Sequence, residues 1–174
     1  MTQQRKSIYR RGAENGIVMG VFLSVLFLAM ANSLESAWLG MLSMVMMLGV
    51  PFLTYGLLRR SYRLDMGLSK FSELWMEGIL IFAGGSVILA VVALAYMRWV
   101  EPTFITTQVT TLAALYRDAG ETGVADMVDN AIARHALPTP AEVAVEFVWL
   151  GIFSGSMLSM LMTLLVKARR VEKM

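Results

Sequence analysis

The chain has 174 residues, of which 57% are hydrophobic and only 16% charged, with a formal net charge of +2 and a mean hydropathy of +0.62. That composition excludes an ordinary soluble globule and makes a lipid bilayer the natural solvent. Cysteine is absent, which excludes disulfides, thiolate nucleophiles and Cys-based metal sites. Four membrane spans of about 20 residues each would use roughly half the chain, so an all-α membrane protein forming a single domain over residues 1–174 is expected.

The first apolar run covers residues 16–31, after Arg5, Lys6, Arg10 and Arg11. A basic stretch before an apolar one also fits a cleaved signal peptide, but the residues after Ala31 give only a weak small-residue cleavage pattern, and a retained span is the reading. The second run, 37–58, opens after Asn32-Ser33-Leu34-Glu35, where Asn and Glu three apart fit a capping box. Pro51 lies inside it and removes one backbone donor, so a kink is expected there. The third run, 74–100, is long enough to span with tilt. The fourth, 143–166, is entered through Thr139-Pro140-Ala141-Glu142, which supplies an N-cap Thr, a Pro at the first helical position and a Glu at the third.

Orientation follows from the basic residues, because short basic flanks stay on the cytoplasmic side. Twelve of the fifteen lie in three segments: Arg5, Lys6, Arg10 and Arg11; then Arg59, Arg60, Arg63 and Lys70; then Lys167, Arg169, Arg170 and Lys173. The first external connection carries Glu35, and the long one, 101–142, sets Arg117 and Arg134 against six acidic residues. Both termini are therefore expected in the cytoplasm and residues 101–142 outside it. Trp38, Trp75, Trp99 and Trp149 fall near predicted span ends, where amphipathic rings favour the interface.

Residues 101–142 contain two helical stripes: Ile105, Val109, Leu112 and Tyr116, then Val124, Val128, Ala131 and Ile132 after Gly120 and Gly123. The spacing predicts an extracytoplasmic helical hairpin between the third and fourth spans. Its apolar faces are too small for an independent core, so they should rest on the membrane surface, the outer end of the bundle or a partner.

Three stretches resemble a known family. They are Tyr62-Arg63, then Phe71-Ser72-Glu73-Leu74-Trp75-Met76-Glu77-Gly78-Ile79-Leu80, then Tyr96-Met97-Arg98-Trp99-Val100-Glu101-Pro102-Thr103-Phe104. Together with span order and loop lengths, they make the chain similar to the bacterial membrane proteins grouped as domain of unknown function 4199 (DUF4199). The resemblance implies a four-span architecture and a home in the bacterial cytoplasmic (inner) membrane. It implies no catalytic or binding residue.

Ionisable groups inside a span are costly, which singles out Glu73 with Glu77 and Glu142 with Glu146, each an i, i+4 pair near a span end. Glu73, Glu77 and Glu146 are the candidate functional carboxylates. Glu77 is expected within reach of Arg59, Arg60, Arg63 or Lys167, as a solvated or paired group that fixes helix position. A proton or ion pathway would need polar groups across the middle, where Ser43, Ser86, Ser154, Ser156 and Ser159 stand, and such serines more often bond their own helix. The Met41, Met44, Met46 and Met157, Met160, Met162 sets could suggest Cu(I), but adaptable packing explains them better. The single histidine, His135, excludes a His-based metal site or triad within one chain and is expected to be solvated. No metal, cofactor or catalytic residue is expected, nor is nucleic-acid binding, because topology accounts for the basic residues.

What remains is packing. Gly12, Gly16, Gly20 and Ser24 recur every fourth residue in the first span, and Gly151, Gly155 and Ser159 in the fourth. Small residues so spaced let another helix backbone approach closely. The expected function is a noncatalytic membrane subunit or scaffold, partnered by the bilayer and by a second copy or another membrane protein. The alternative is a small transporter or lipid-handling protein with a pocket between the helices.

Overall fold

The computed structural model describes residues 7–33, 36–134 and 136–171. Among these, six α-helices follow in order: α1 (Ile8–Ala31), α2 (Ala37–Leu64), α3 (Phe71–Ala95), α4 (Phe104–Asp118), α5 (Thr122–Ala133) and α6 (Pro140–Val171), with a π-turn over Tyr96–Val100 after α3. Four helical segments, Ile8–Ala31, Ala37–Leu64, Phe71–Val100 and Pro140–Ala168, are long and apolar enough to cross a membrane. The chain is thus a multi-pass membrane protein. It divides into one unit of Met1–Ala90 with Glu146–Met174 and a second of Val91–Val145.

Helix α1 extends before its apolar run, α2 beyond it, and α6 at both ends. Helix α1 begins at Ile8 rather than Gly16, with Ser7 as N-cap accepting from the Arg10 amide at 3.3 Å. This brings Arg11 and Asn15 into the helix and onto a fixed face. At its other end Asn32 closes α1, its side-chain amide donating to the Leu28 carbonyl at 2.8 Å. The expected Asn32–Glu35 box includes Glu35, which lies outside the described residues; at the start of α2 Ser36 stands as N-cap, without a side-chain hydrogen bond. The box at Thr139 does form, with the Thr139 amide and hydroxyl donating to Glu142 Oε2 at 2.7 and 2.9 Å and the Glu142 amide donating back to Thr139 Oγ1 at 3.3 Å.

Helix α2 runs through Pro51 and past the expected end at Leu58 to Leu64. It stops in a left-handed turn, where the Gly67 amide donates to the Tyr62 carbonyl at 2.9 Å and the Met66 amide to Arg63 at 3.0 Å. Met66 holds the position with φ 51° that glycine usually takes at a helix end. The end of α4 has the same pattern with the usual residue: Gly120, φ 84°, donates to Arg117, and Glu121 donates to Tyr116.

In the first unit, close contacts run in ordered pairs. Side chains at Gly12 and Gly20 would meet Leu80 and Ile88 within 2.6 and 2.7 Å, and one at Gly16 would meet the Ile81 carbonyl at 3.3 Å. The pairs rise together, so α1 and α3 run in the same direction. Against α6 they run oppositely: Gly78 meets Ser159, Phe82 meets Gly155 and Ser86 meets Gly151. Gly49 on α2 lies against the Phe22 ring of α1, and Phe27 of α1 stands edge-on to Phe147 of α6 at 5.7 Å. Met19, Leu57, Leu58, Tyr62, Leu74, Ile81, Phe82 and Val166 form the buried apolar cluster.

The second unit contains α4 and α5, which pack on each other around the buried Ala113 and Ala125. An ion pair between Arg117 and Asp129 joins the two helices. Tyr96 of the π-turn donates to Glu101 Oε2 at 3.0 Å and stands perpendicular to the Phe104 ring at 5.7 Å.

Because the Gly155 site is filled by the Phe82 ring, Gly155→Ile should force α6 away from α3. Overpacking of this kind costs about 1–3 kcal/mol or more, read as a lowered melting temperature in detergent. The same change at Val25 or Leu161, which are 47% and 57% exposed, should leave the melt unchanged.

Candidate functional site

The described residues gather one buried ionic cluster, built from α1, α3 and the end of α2. Arg11 lies on the α1 face that holds Gly12, Gly16, Met19 and Gly20, a consequence of the extra helical turns before the apolar run. Asp65 is the C-cap of α2, directly before the left-handed turn, and Glu77 lies on the buried stripe of α3 with Leu74, Gly78 and Ile81. Side-chain exposures of 7% for Arg11, 4% for Asp65 and 0% for Glu77 place all three away from solvent.

The guanidinium is shared unequally. Arg11 Nη1 donates to Asp65 Oδ2 at 2.7 Å, the length of a charge-assisted hydrogen bond. Its Nε approaches Glu77 Oε2 only to 3.6 Å. Neither Nε nor Oε2 has a hydrogen-bond partner. The other oxygen of Glu77 is well provided: Ser61 of α2 donates to Oε1, and so does Asn15 of α1, at 3.3 Å. Ser69 donates to Asp65. The cluster thus ties α1 to α2 and α3 through groups that have no water to fall back on.

Of the two expectations for Glu77, solvated or paired, the structure gives the paired one, buried beside Arg11. Arg59 instead lies over the Tyr55 ring at 5.8 Å, while Arg60 and Arg63 are exposed. The ionic partner of Glu77 is Arg11, from the N-terminal basic flank. Glu73 caps α3, accepting from the Lys70 amide at 3.0 Å, and does not join the cluster. Glu146 is exposed on α6 and does not join it either.

The small-residue positions are placed against helices of the same chain, with Gly16 and Gly20 on α3 and Gly151, Gly155 and Ser159 also on α3 from the other side. Ser24 and Ser86 donate to carbonyls of their own helices, Gly20 at 2.7 Å and Phe82 at 2.7 Å. Ser43, Thr54 and Ser154 do the same, as polar residues in apolar helices commonly do. Ser159 and Thr163, both fully buried, have hydroxyls without a partner. Trp75 turns its indole N–H to the Ser156 carbonyl at 3.1 Å, so it joins α3 to α6. Among the described residues no group of His, Cys, Asp and Glu could hold a metal ion; His135 lies outside them.

Removing one partner from a buried ion pair leaves the other charge unanswered, at a cost of roughly 3–5 kcal/mol. Arg11→Leu should lower the melting temperature strongly, because it leaves Asp65 and Glu77 buried without their shared cation. Arg10→Leu, which removes the exposed pair with Glu14 at 69% and 47% exposure, should cost less than about 1 kcal/mol. Equal effects of the two changes would rule out the buried cluster.

No curated protein and no solved structure matches the chain. A family signature does match, over residues 14–168, which takes in Asn15, Ser61, Asp65, Ser69 and Glu77 and leaves Arg11 just before its start. The chain belongs to the family described as protein of unknown function (DUF4199).

Proposed function

We propose that this chain is a noncatalytic integral membrane subunit or scaffold that assembles with itself or with a membrane enzyme or transporter. The observation that carries this reading is the division of helix surfaces in the first unit. Small residues and ionic groups face helices of the same chain, while α2 turns outward a face of Trp38, Met41, Met44, Val45, Leu48 and Phe52, each at least 67% exposed. Unbranched, polarizable methionines adapt to varied neighbours, so such a face suits another helix as well as lipid. Native mass spectrometry from nanodiscs should give a defined oligomer or a stoichiometric second protein. A bare monomer at every concentration would overturn the reading.

The same reading places the chain in the bacterial inner membrane, with α1, α2, α3 and α6 as a four-helix bundle, both termini cytoplasmic and α4 with α5 as an extracytoplasmic helical hairpin. Basic flanks support it, as do the alternating directions of the helix contacts. Reporter fusions in the 66–69 turn and after Met174 should be cytoplasmic, and one at Gly120 external. A cytoplasmic Gly120 reporter would end the four-span arrangement.

A second reading, a small transporter or lipid-handling protein with a pocket between the helices, is favoured by one observation. Glu77 is fully buried inside a candidate span with Oε2 lacking a hydrogen bond, and ionisable groups at such places commonly serve ion or substrate handling. A lipid or solute retained through purification and identified by mass spectrometry would separate it from the first.

A further inference from the structure

We propose that the Arg11–Asp65–Glu77 cluster is a binding site for a single proton, taken up on Glu77, and that Arg11 Nε closes on Glu77 as that proton leaves and withdraws as it returns. The inference goes beyond both readings above, since it requires neither a partner nor a transported solute.

Geometry carries the argument. The guanidinium stands between two carboxylates but gives its hydrogen bond to one, at 2.7 Å from Asp65 against 3.6 Å from Glu77. Two facing atoms, Arg11 Nε and Glu77 Oε2, are buried and without hydrogen-bond partners. An ionised Glu77 in this position has a bare, desolvated oxygen, which is costly. Two changes remove that cost: a proton on Oε2, or closer approach of Arg11 Nε to that oxygen. Proton loss from Glu77 draws Nε toward Oε2, and proton gain releases it.

The groups that face Glu77 are Arg11 and Asn15 from α1 and Ser61 from α2, with Asp65 at the end of α2 holding the other side of the Arg11 guanidinium. Helix α6, packed on the adjacent Gly78, brings the hydroxyl of Ser159. Each has a defined electrostatic sign. Arg11, Asn15 and Ser61 favour the ionised form through charge or donated hydrogen bonds, and Asp65 favours the protonated form as a like charge. The opposed set makes the site testable in both directions, because removing a donor and removing the like charge must move the titration oppositely.

The test is a pH titration of the full chain in nanodiscs by infrared difference spectroscopy, with glutamate carboxyls isotopically labelled, in choline buffer and again in sodium buffer. A single protonated-glutamate carbonyl band should appear as pH falls, vanish in Glu77→Gln and persist in Glu73→Gln and Glu146→Gln. Asp65→Asn should lower its midpoint by about one pH unit or more, and Ser61→Ala should raise it. These two variants decide the matter on their own if Glu77→Gln does not fold. The proposal is overturned if no glutamate band titrates, if the band survives Glu77→Gln, if Asp65→Asn and Ser61→Ala leave the midpoint in place, or if sodium at fixed pH replaces the band, which would make it a cation site.

Discussion

A guanidinium held away from water must have its charge answered by groups within reach, and the arrangement of α1, α2 and α3 follows from answering it at Arg11. Asp65 can do so only at the end of α2, where the left-handed turn at Met66 and Gly67 stops the helix and holds the C-cap against α1. Glu77 can do so only from one face of α3. A shift of one residue along any of these helices turns its side chains by about 100° and removes a partner from the cluster. Buried ion pairs are weak sources of net stability but strong penalties against the wrong register. Here they fix rotation and depth of three helices at once.

The remainder of the first unit depends on close approach rather than charge. Helix α3 has the highest mean hydropathy of the four candidate spans, 2.5 against 1.7 to 1.8, and is contacted from two sides by small residues of α1 and α6. Lipid tails offer no hydrophobic drive for helices to associate, so van der Waals contact at short distance must supply it. Glycine seams on both flanks of α3 do this. Because they are filled by Leu80, Phe82, Ser86 and Ile88 of the same chain, they give no support to association between chains, and any assembly has to use other faces.

Much of this was legible in the sequence, and the failures have a common cause. Spans were readable because twenty apolar residues in a row have few other uses, and the α6 start because Thr139, Pro140 and Glu142 act locally. Helix ends were misjudged where polar residues continued a helix past its apolar run, as Arg11 and Asn15 do in α1 and Arg59 to Leu64 do in α2. The partner of Glu77 was missed for the same reason. Linear reach pointed to Arg59, Arg60, Arg63 or Lys167, but the inward stripe of α2 is Leu57, Leu58, Ser61, Tyr62 and Asp65, which turns the three arginines elsewhere. The i, i+3, i+4 relation of Leu58, Ser61, Tyr62 and Asp65 was available in the sequence. That Arg11 would face it from a segment read as a topology flank was not, since it depends on how α1 meets both neighbours.

The charge cluster and the glycine seam are not independent. Asn15 has a short side chain, yet it reaches Glu77 across the α1–α3 contact at 3.3 Å, and the residues beside it on that contact are Gly12 and Gly16. Any side chain at Gly12 would strike Leu80 and push the helices apart. Arg11, long and flexible, can follow such a movement, whereas Asn15 cannot. The Asn15 bond is therefore the part of the site most sensitive to helix separation, and its loss would leave Glu77 Oε1 with Ser61 alone among the donors described. Packing at the seam thus sets the electrostatics of the carboxylate. A change that only widens the α1–α3 gap acts on Glu77 as if it had removed a hydrogen-bond donor.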